Sequence, residues 1–162
     1  MIPLRAYSFS FTATAATGAI DYFELVAGST VGLVLLSLDI SQTTEFGDAQ
    51  DEMVEWFVKR ASGSYTSGSG GATPTGRPMR AGDSAATCTC EARNTTQLLV
   101  GSGTLVTVHN SAFNIRAGID KIWTPETAPS CGISQALVVG MVSAPADSVS
   151  WCGTAIVGEL TP

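Results

Sequence analysis

The sequence predicts an all-β protein, a single antiparallel β-sandwich with jelly-roll-like connectivity over residues 1–162. Apolar and polar residues alternate with a period of two almost throughout the chain, which is typical of half-buried strands. No segment keeps a helical period for a helix-length stretch. Clusters of Gly, Pro and Ser separate the short apolar runs, as turns do between strands. Together these observations predict about eight to ten strands in one sandwich.

The predicted strands follow one another from the first residues. In AYSFSFT, Tyr7, Phe9 and Phe11 alternate with serines, which predicts a strand with one buried face. A second strand is predicted at 22–27. The run at 30–40 is nearly all apolar, which indicates a central strand covered on both faces. Six further strands are predicted at 52–60, 87–93, 104–110, 113–123, 135–143 and 148–160.

The stretch SGSYTSGSGGATPTGRP, residues 62–78, has the composition of a flexible linker. A linker here would leave an N-terminal half-sheet of about four strands with bare edges. A phosphate-binding loop is excluded because neither GxxxxGK[ST] nor GxGxxG before a helix is present. Residues 62–80 are therefore predicted to be an ordered crossover loop. Since ordering costs about 1–2 kcal/mol of backbone entropy per residue, packing or a partner must hold this loop.

The charge content is unusually low. Charged residues make up 14% of the chain, against about 25% in typical globular proteins, and the net charge is −6. Such a surface is either partly covered by neighbours or simply neutral and rich in Thr and Ser. An acidic chain without a basic stripe argues against a nucleic-acid partner. The longest apolar run, 31–38, is too short for a membrane helix, and no signal peptide is recognised, so we expect a soluble protein synthesised in the cytoplasm.

Charges are also segregated along the chain. Residues 39–55 carry six acids and no base, whereas residues 59–93 carry five bases and two acids. One hypothesis is that the loop 62–80 reaches a neighbouring subunit and meets its acidic turn, since complementary charge sets register and partner choice. The alternative is that both segments are only solvated. The predicted contact residues are Tyr65, Thr66, Pro74, Arg77, Pro78 and Arg80 on the loop, with Asp48, Asp51 and Glu52 on the turn.

No catalytic or metal site is predicted, so neither an enzyme nor a cofactor is expected. The sole histidine, His109, ends a strand, and no GxSxG motif is present. Cys88 and Cys90 are spaced i, i+2, while Cys131 and Cys152 are isolated, so the cysteines are expected to act as small core residues. Two alternatives stay open at this point: a disulfide from Cys88 or Cys90, and weak Ca²⁺ binding by the acidic run.

Several motifs in a fixed order resemble a family of small structural proteins of tailed bacteriophages. They are SQTTEFGDAQDE (41–52), SGSGGATPTGRPM (67–79), NTTQ (94–97), FNIRAG (113–118), TPE (124–126) and APADSVSWCGTAIVGEL (144–160). The resemblance covers most of the chain and implies an all-β virion component, a capsid decoration (cement) protein that caps the shell as a trimer. The cysteines, chiefly Cys88, Cys90 and Cys152, depart from the pattern of that family.

The function predicted from the sequence is thus a capsid decoration protein on the outer surface of the virion head. Its expected partners are the major capsid protein and copies of itself, with no nucleic acid, membrane or small-molecule substrate. One alternative is a tail, neck or head-fibre component that binds the host. A third is a carbohydrate-binding β-sandwich or small hydrolase, which would need a pocket with exposed aromatics. Trp56, Trp123 and Trp151 lie in apolar strand patterns and are instead expected in a core or interface.

Overall fold

Two antiparallel β-sheets lie face to face in the computed structural model, which describes residues 5–44 and 51–160. The prediction of an all-β antiparallel sandwich is confirmed. Within those residues, no helix is long and apolar enough to cross a membrane.

The first sheet has six strands in the order β10-β3-β13-β1-β6, and β11 also pairs with β3. Its members are β1 (Arg5–Ala16), β3 (Gly32–Gln42), β6 (Arg77–Pro78), β10 (Ile119–Ile122), β11 (Ser130–Cys131) and β13 (Val149–Leu160).

The second sheet has five strands in the order β7-β2-β12-β4-β9. They are β2 (Asp21–Val26), β4 (Met53–Ser62), β7 (Thr89–Asn94), β9 (Thr104–Asn114) and β12 (Ala136–Met141). A separate pair, β5 (Tyr65–Thr66) with β8 (Leu99–Val100), belongs to neither sheet.

Most consecutive long strands cross from one sheet to the other, whereas β4, β7 and β9 all lie in the second sheet. β1 lies in the first sheet, β2 in the second, β3 in the first and β4 in the second, and β12 to β13 is a further crossing. This alternation forces the apolar faces of both sheets inward, because each strand packs against the next one along the chain. The strands before and after residues 62–80 therefore belong to the same two sheets.

The core between the sheets is rich in aromatic side chains. Tyr7, Phe9 and Phe11 on β1 point inward and are buried, as the alternation predicts. Trp151 lies at the centre, with the rings of Tyr22 and Phe113 packed edge-on at 5.5 and 5.9 Å between centroids. Each such side chain contributes on the order of 1.5–3 kcal/mol by leaving water.

Two details concern the predicted strands. β3 is central, as predicted, with β13 on one side and β10 and β11 on the other. Asp39 on its outward face is exposed, however, so that face is only partly covered.

The prediction of a single strand over 113–123 is wrong. β9 ends at Asn114, whose carbonyl accepts the N–H groups of Ala117 and Gly118, and Gly118 has a positive φ of 72°. This turn reverses the chain before β10 begins.

Candidate interaction surface

The predicted crossover loop runs along one side of the sandwich, across the gap between β7 and β1. Ala72 exchanges both of its backbone hydrogen bonds with Ala92 of β7, at 2.9 and 2.8 Å. Further on, the N–H of Met79 donates to the carbonyl of Ala6 at 2.8 Å, and β6 pairs with β1. We call residues 63–88 and 95–103, which lie between β4 and β9 and flank β7 in sequence, the covering segment. It covers one edge of each sheet.

The covering segment also packs on the outward face of the second sheet. The β5–β8 pair lies over a second apolar cluster formed by Phe57, Ala61, Leu98, Ala136 and Val138, all buried. Tyr65 is half-buried against this cluster, so the single aromatic of the loop anchors it to its own chain.

The glycines of the covering segment allow close backbone approach. A Cβ on Gly68 would lie 2.6 Å from both Nδ2 of Asn94 and the carbonyl oxygen of Thr96. A Cβ on Gly76 would lie 2.7 Å from Cζ of Phe9. Real Cβ atoms do not sit that close to other heavy atoms, so any larger residue forces the loop outward. The Gly-rich composition here serves packing.

Two buried carboxylates on β2 hold the covering segment in place. Oε2 of Glu24 accepts the N–H of Gly68 at 2.8 Å and the side-chain amide of Asn94 at 3.3 Å. Oδ2 of Asp21 accepts the N–H of Leu98 at 2.8 Å. Both side chains are almost completely buried, and Oδ1 of Asp21 and Oε1 of Glu24 have no hydrogen-bond partner among the described residues. Burial raises the pKa of Asp21 to about 7, and neighbouring Glu24 adds to the shift.

A third carboxylate fixes the far end of the segment to β13. Oε1 of Glu159 accepts three hydrogen bonds, from the N–H and hydroxyl of Thr87 at 2.6 and 2.8 Å and from the N–H of Cys88 at 2.9 Å. Burial alone would raise the pKa of Glu159, but these hydrogen bonds outweigh it and lower the pKa below its ordinary value. Sequence reasoning missed all three acids. The sequence feature that could have identified them is the position of each acid within, or at the end of, an otherwise apolar strand.

The predicted contact residues on the loop fall into two groups. Thr66, Arg77, Pro78 and Arg80 are exposed, whereas Pro74 is half-buried and lines a surface cavity of about 230 Å³ beside Phe9. Because its own chain holds the loop, no partner is needed to order it. Contact between its outward face and another molecule stays a prediction.

Asp51 and Glu52, two of the three predicted acidic contacts, lie at the opposite end of the sandwich. Asp51 forms an exposed ion pair with Arg116 at 3.4 Å, and Glu52 accepts the N–H of Ala146 at 2.7 Å. Asp48 lies outside the described residues. Met141 pairs with Trp56 of β4 and donates its N–H to the carbonyl of Ile20, just beyond the end of β1, whereas β6 pairs near the start of β1. The loop arginines and these acids therefore do not meet within one molecule, and their pairing would require a head-to-tail contact between copies.

The opposite edge of the second sheet, formed by β9, is unpaired. β9 pairs with β4 along one edge and with no other described strand along the second. Over its 11 residues it has no Asp, Glu, Lys or Arg, and Val106 and Val108 are 44% and 38% exposed. We call this outer edge of β9 the open edge. Unpaired N–H and C=O groups along such a strand are a template for pairing with another chain.

The cysteines, the histidine and the tryptophans lie wholly or partly inside the fold. Cys88, Cys90 and Cys131 are buried free thiols, Cys152 is a partly buried one, and burial raises the pKa of Cys88 and Cys131 to about 12. The ring of His109 lies between the rings of Trp56 and Trp123, with centroid-to-centroid distances of 4.9 and 5.9 Å. No cluster of three metal-ligating acids, cysteines or histidines occurs in the described parts of the chain. The three tryptophans are buried, as expected.

Three comparisons with known proteins give no match: no family model, no curated protein and no solved structure is similar to this chain.

Proposed function

We propose that this chain is a structural component of a tailed-phage virion, a capsid decoration protein that binds the outer shell of the head. The observation that carries the proposal is the strand order. β1, β2, β3 and β4 alternate between the two antiparallel sheets, and β12 and β13 cross between them again. Crossings of this kind are compatible with a double-sheet jelly roll, a class that recurs in viral capsid and lectin domains. The support is by analogy, because one fold hosts many functions.

The resemblance to phage structural proteins points in the same direction, and the surface suits the role. Charged residues are few, and exposed apolar side chains occur on the covering segment itself. Leu99 on β8 is 66% exposed beside Thr66, and Met79 is 53% exposed among Arg77, Pro78 and Arg80. We propose that these two exposed parts of the covering segment touch the capsid shell.

The covering segment would bind without first having to be ordered. Its backbone is already held by β1, β7 and the buried acids, so association would not incur the entropy cost that a flexible arm would incur. Many copies on a symmetric shell would add their contacts, because each further contact forms at a high effective concentration.

The carbohydrate-binding alternative has less support. Sugar sites stack rings on exposed aromatics, whereas Trp56, Trp123 and Trp151 are 8% exposed or less. The tail, neck or head-fibre role differs from decoration in position and copy number, so the same experiment separates the two.

The test is binding of the purified chain to isolated phage heads that lack it, measured by co-sedimentation and by low-resolution imaging of the particles. We expect saturable binding with many copies over the head surface. The double change Arg77→Glu and Arg80→Glu should weaken binding at least tenfold, whereas Arg116→Glu at the opposite end should not. Absence of binding to heads, or density confined to the tail or neck, would contradict the proposal.

A further inference from the structure

We propose that the open edge of β9 pairs with β9 of a second copy of this chain, extending the second sheet across a two-fold axis. This inference goes beyond the proposed capsid role and does not depend on it. It rests on a comparison of the sheet edges, on the hydrogen-bonding groups that β9 leaves free, and on the absence of charge along it.

Three of the four sheet edges are protected. β1 is paired by β6, a two-residue strand that contains Pro78, at Tyr7 and Ser8 only. A β-bulge between Phe11 and Thr14, itself a device against pairing, breaks the rest of that edge into short pieces. β7 is bridged by Ala72 at Ala92. β10 has only four residues, two of which, Asp120 and Lys121, are charged. Short strands, proline and charges are the devices by which proteins prevent edge-to-edge pairing. β9 is long and uncharged, and no described strand pairs with its outer edge.

The free hydrogen-bonding groups of β9 can be assigned. The N–H of Ile115 donates to the carbonyl of Glu52 at 2.9 Å, and bonded positions alternate along an antiparallel pair. The N–H and C=O groups of Asn110 and Ala112 therefore point away from β4. A β-bulge at Val108 interrupts the register with β4, and the six residues 109–114 beyond it pair regularly. These six residues offer the regular stretch at which a second strand docks.

The chemistry of the edge favours a second copy as its occupant. Pairing of two identical antiparallel strands brings like residues together, so any charge would face its own copy and repel it. β9 contains no permanent charge, and burial together with Lys121 lowers the pKa of His109, which keeps that ring neutral near pH 7. Because the other three edges are protected, the edge of another copy that remains available is β9 itself.

The test is the molar mass of the purified chain by size-exclusion chromatography with light scattering, over a wide concentration range. We expect a dimer, twice the 16.7 kDa of one chain. Ala112→Lys should raise the dimer dissociation constant at least tenfold, because it places two like charges at the pairing strand. Ala13→Lys, the same change at an exposed alanine of β1 on the covered side, should leave the dimer unchanged.

A second variant distinguishes loss of dimer pairing from misfolding of the chain. Ala112→Pro removes an outward N–H without removing a bond to β4, so it should give a monomer whose circular dichroism is that of the parent chain. A parent chain that stays monomeric at hundreds of micromolar would overturn the inference. So would a trimer, which two-fold pairing of one edge cannot close, or a dimer that survives both changes at Ala112. Since no phage particle is involved, none of these results bears on the proposed capsid role.

Discussion

The two sides of the sandwich differ in whether their sheet edges are covered. On the β1 and β7 side, the covering segment bonds to both edge strands and is fixed by Asp21, Glu24 and Glu159. On the other side, β9 presents a long uncharged edge with which no described strand pairs. The covering segment thus contacts the edges of β1 and β7, whereas β9 stays unpaired, and this contrast is the basis on which we propose a second copy as its occupant. The predictions below weaken the covered side or compare it with the open one.

The largest expected effect is the pH dependence that Asp21 confers on the covered side. Its pKa is about 7 when folded and 3.8 ordinarily, so the folded state binds the proton more tightly. The contribution of Asp21 to stability is therefore fully present below pH 4, falls as pH rises from 4 through 7, and is gone above about pH 8. Between pH 5 and 8 the loss is about 3 kcal/mol, at about 1.4 kcal/mol per pKa unit.

Urea unfolding at pH 5 and pH 8 measures this loss. Asp21→Asn removes the titrating group and keeps an acceptor for the N–H of Leu98, so its unfolding free energy should change far less between the two pH values. Equal pH dependence in the two proteins would show that Asp21 is not responsible. Glu159 does not disturb the comparison, because its lowered pKa acts below pH 4.5.

A somewhat smaller effect is expected from breaking the close approach of the loop. Gly68→Ala places a methyl group against Asn94 and the backbone of Thr96, which should cost about 1–3 kcal/mol. Thermal unfolding should show a fall in Tm of roughly 2–4 °C per kcal/mol. The matched control is Gly101→Ala in the same segment, where no atom lies closer than 3.9 Å to the added carbon. Equal Tm values for the two variants would refute tight packing at Gly68.

The smallest effect concerns thiol reactivity beneath the covering segment. Cys88 and Cys90 line the cavity under Pro74, and burial raises the pKa of both thiols. In the native protein we expect only the partly buried Cys152 to react promptly with a thiol reagent, because the thiolate is the reactive form. Gly68→Ala should speed labelling of Cys88 and Cys90 several-fold, as followed by mass spectrometry. Rapid labelling of Cys88 in the parent protein would show that the segment is loose.

The sequence predicted the sandwich because alternation is a local property, visible in Tyr7, Phe9 and Phe11. It predicted an ordered loop, but it assigned Tyr65 to contact with a neighbouring subunit, whereas this ring packs against its own chain. The partners of that loop were not predictable, because Glu24 and Gly68 are joined only once β2 and the loop are in place. The turn at Asn114 was missed for a similar reason: FNIRAGIDKIW alternates like one strand, and its reversal depends on hydrogen bonds and a positive φ at Gly118.

Amide hydrogen exchange followed by NMR at two protein concentrations tests the contrast between the two sides most directly. The N–H of Ala92, which donates to Ala72, should be protected in dilute and concentrated samples alike. The N–H groups of Asn110 and Ala112 should exchange rapidly when the protein is dilute and become protected when it is concentrated, as β9 pairs with its copy. If Ala92 exchanged as fast as Ala112 in the dilute sample, or if Asn110 and Ala112 stayed unprotected at every concentration, the account would be contradicted.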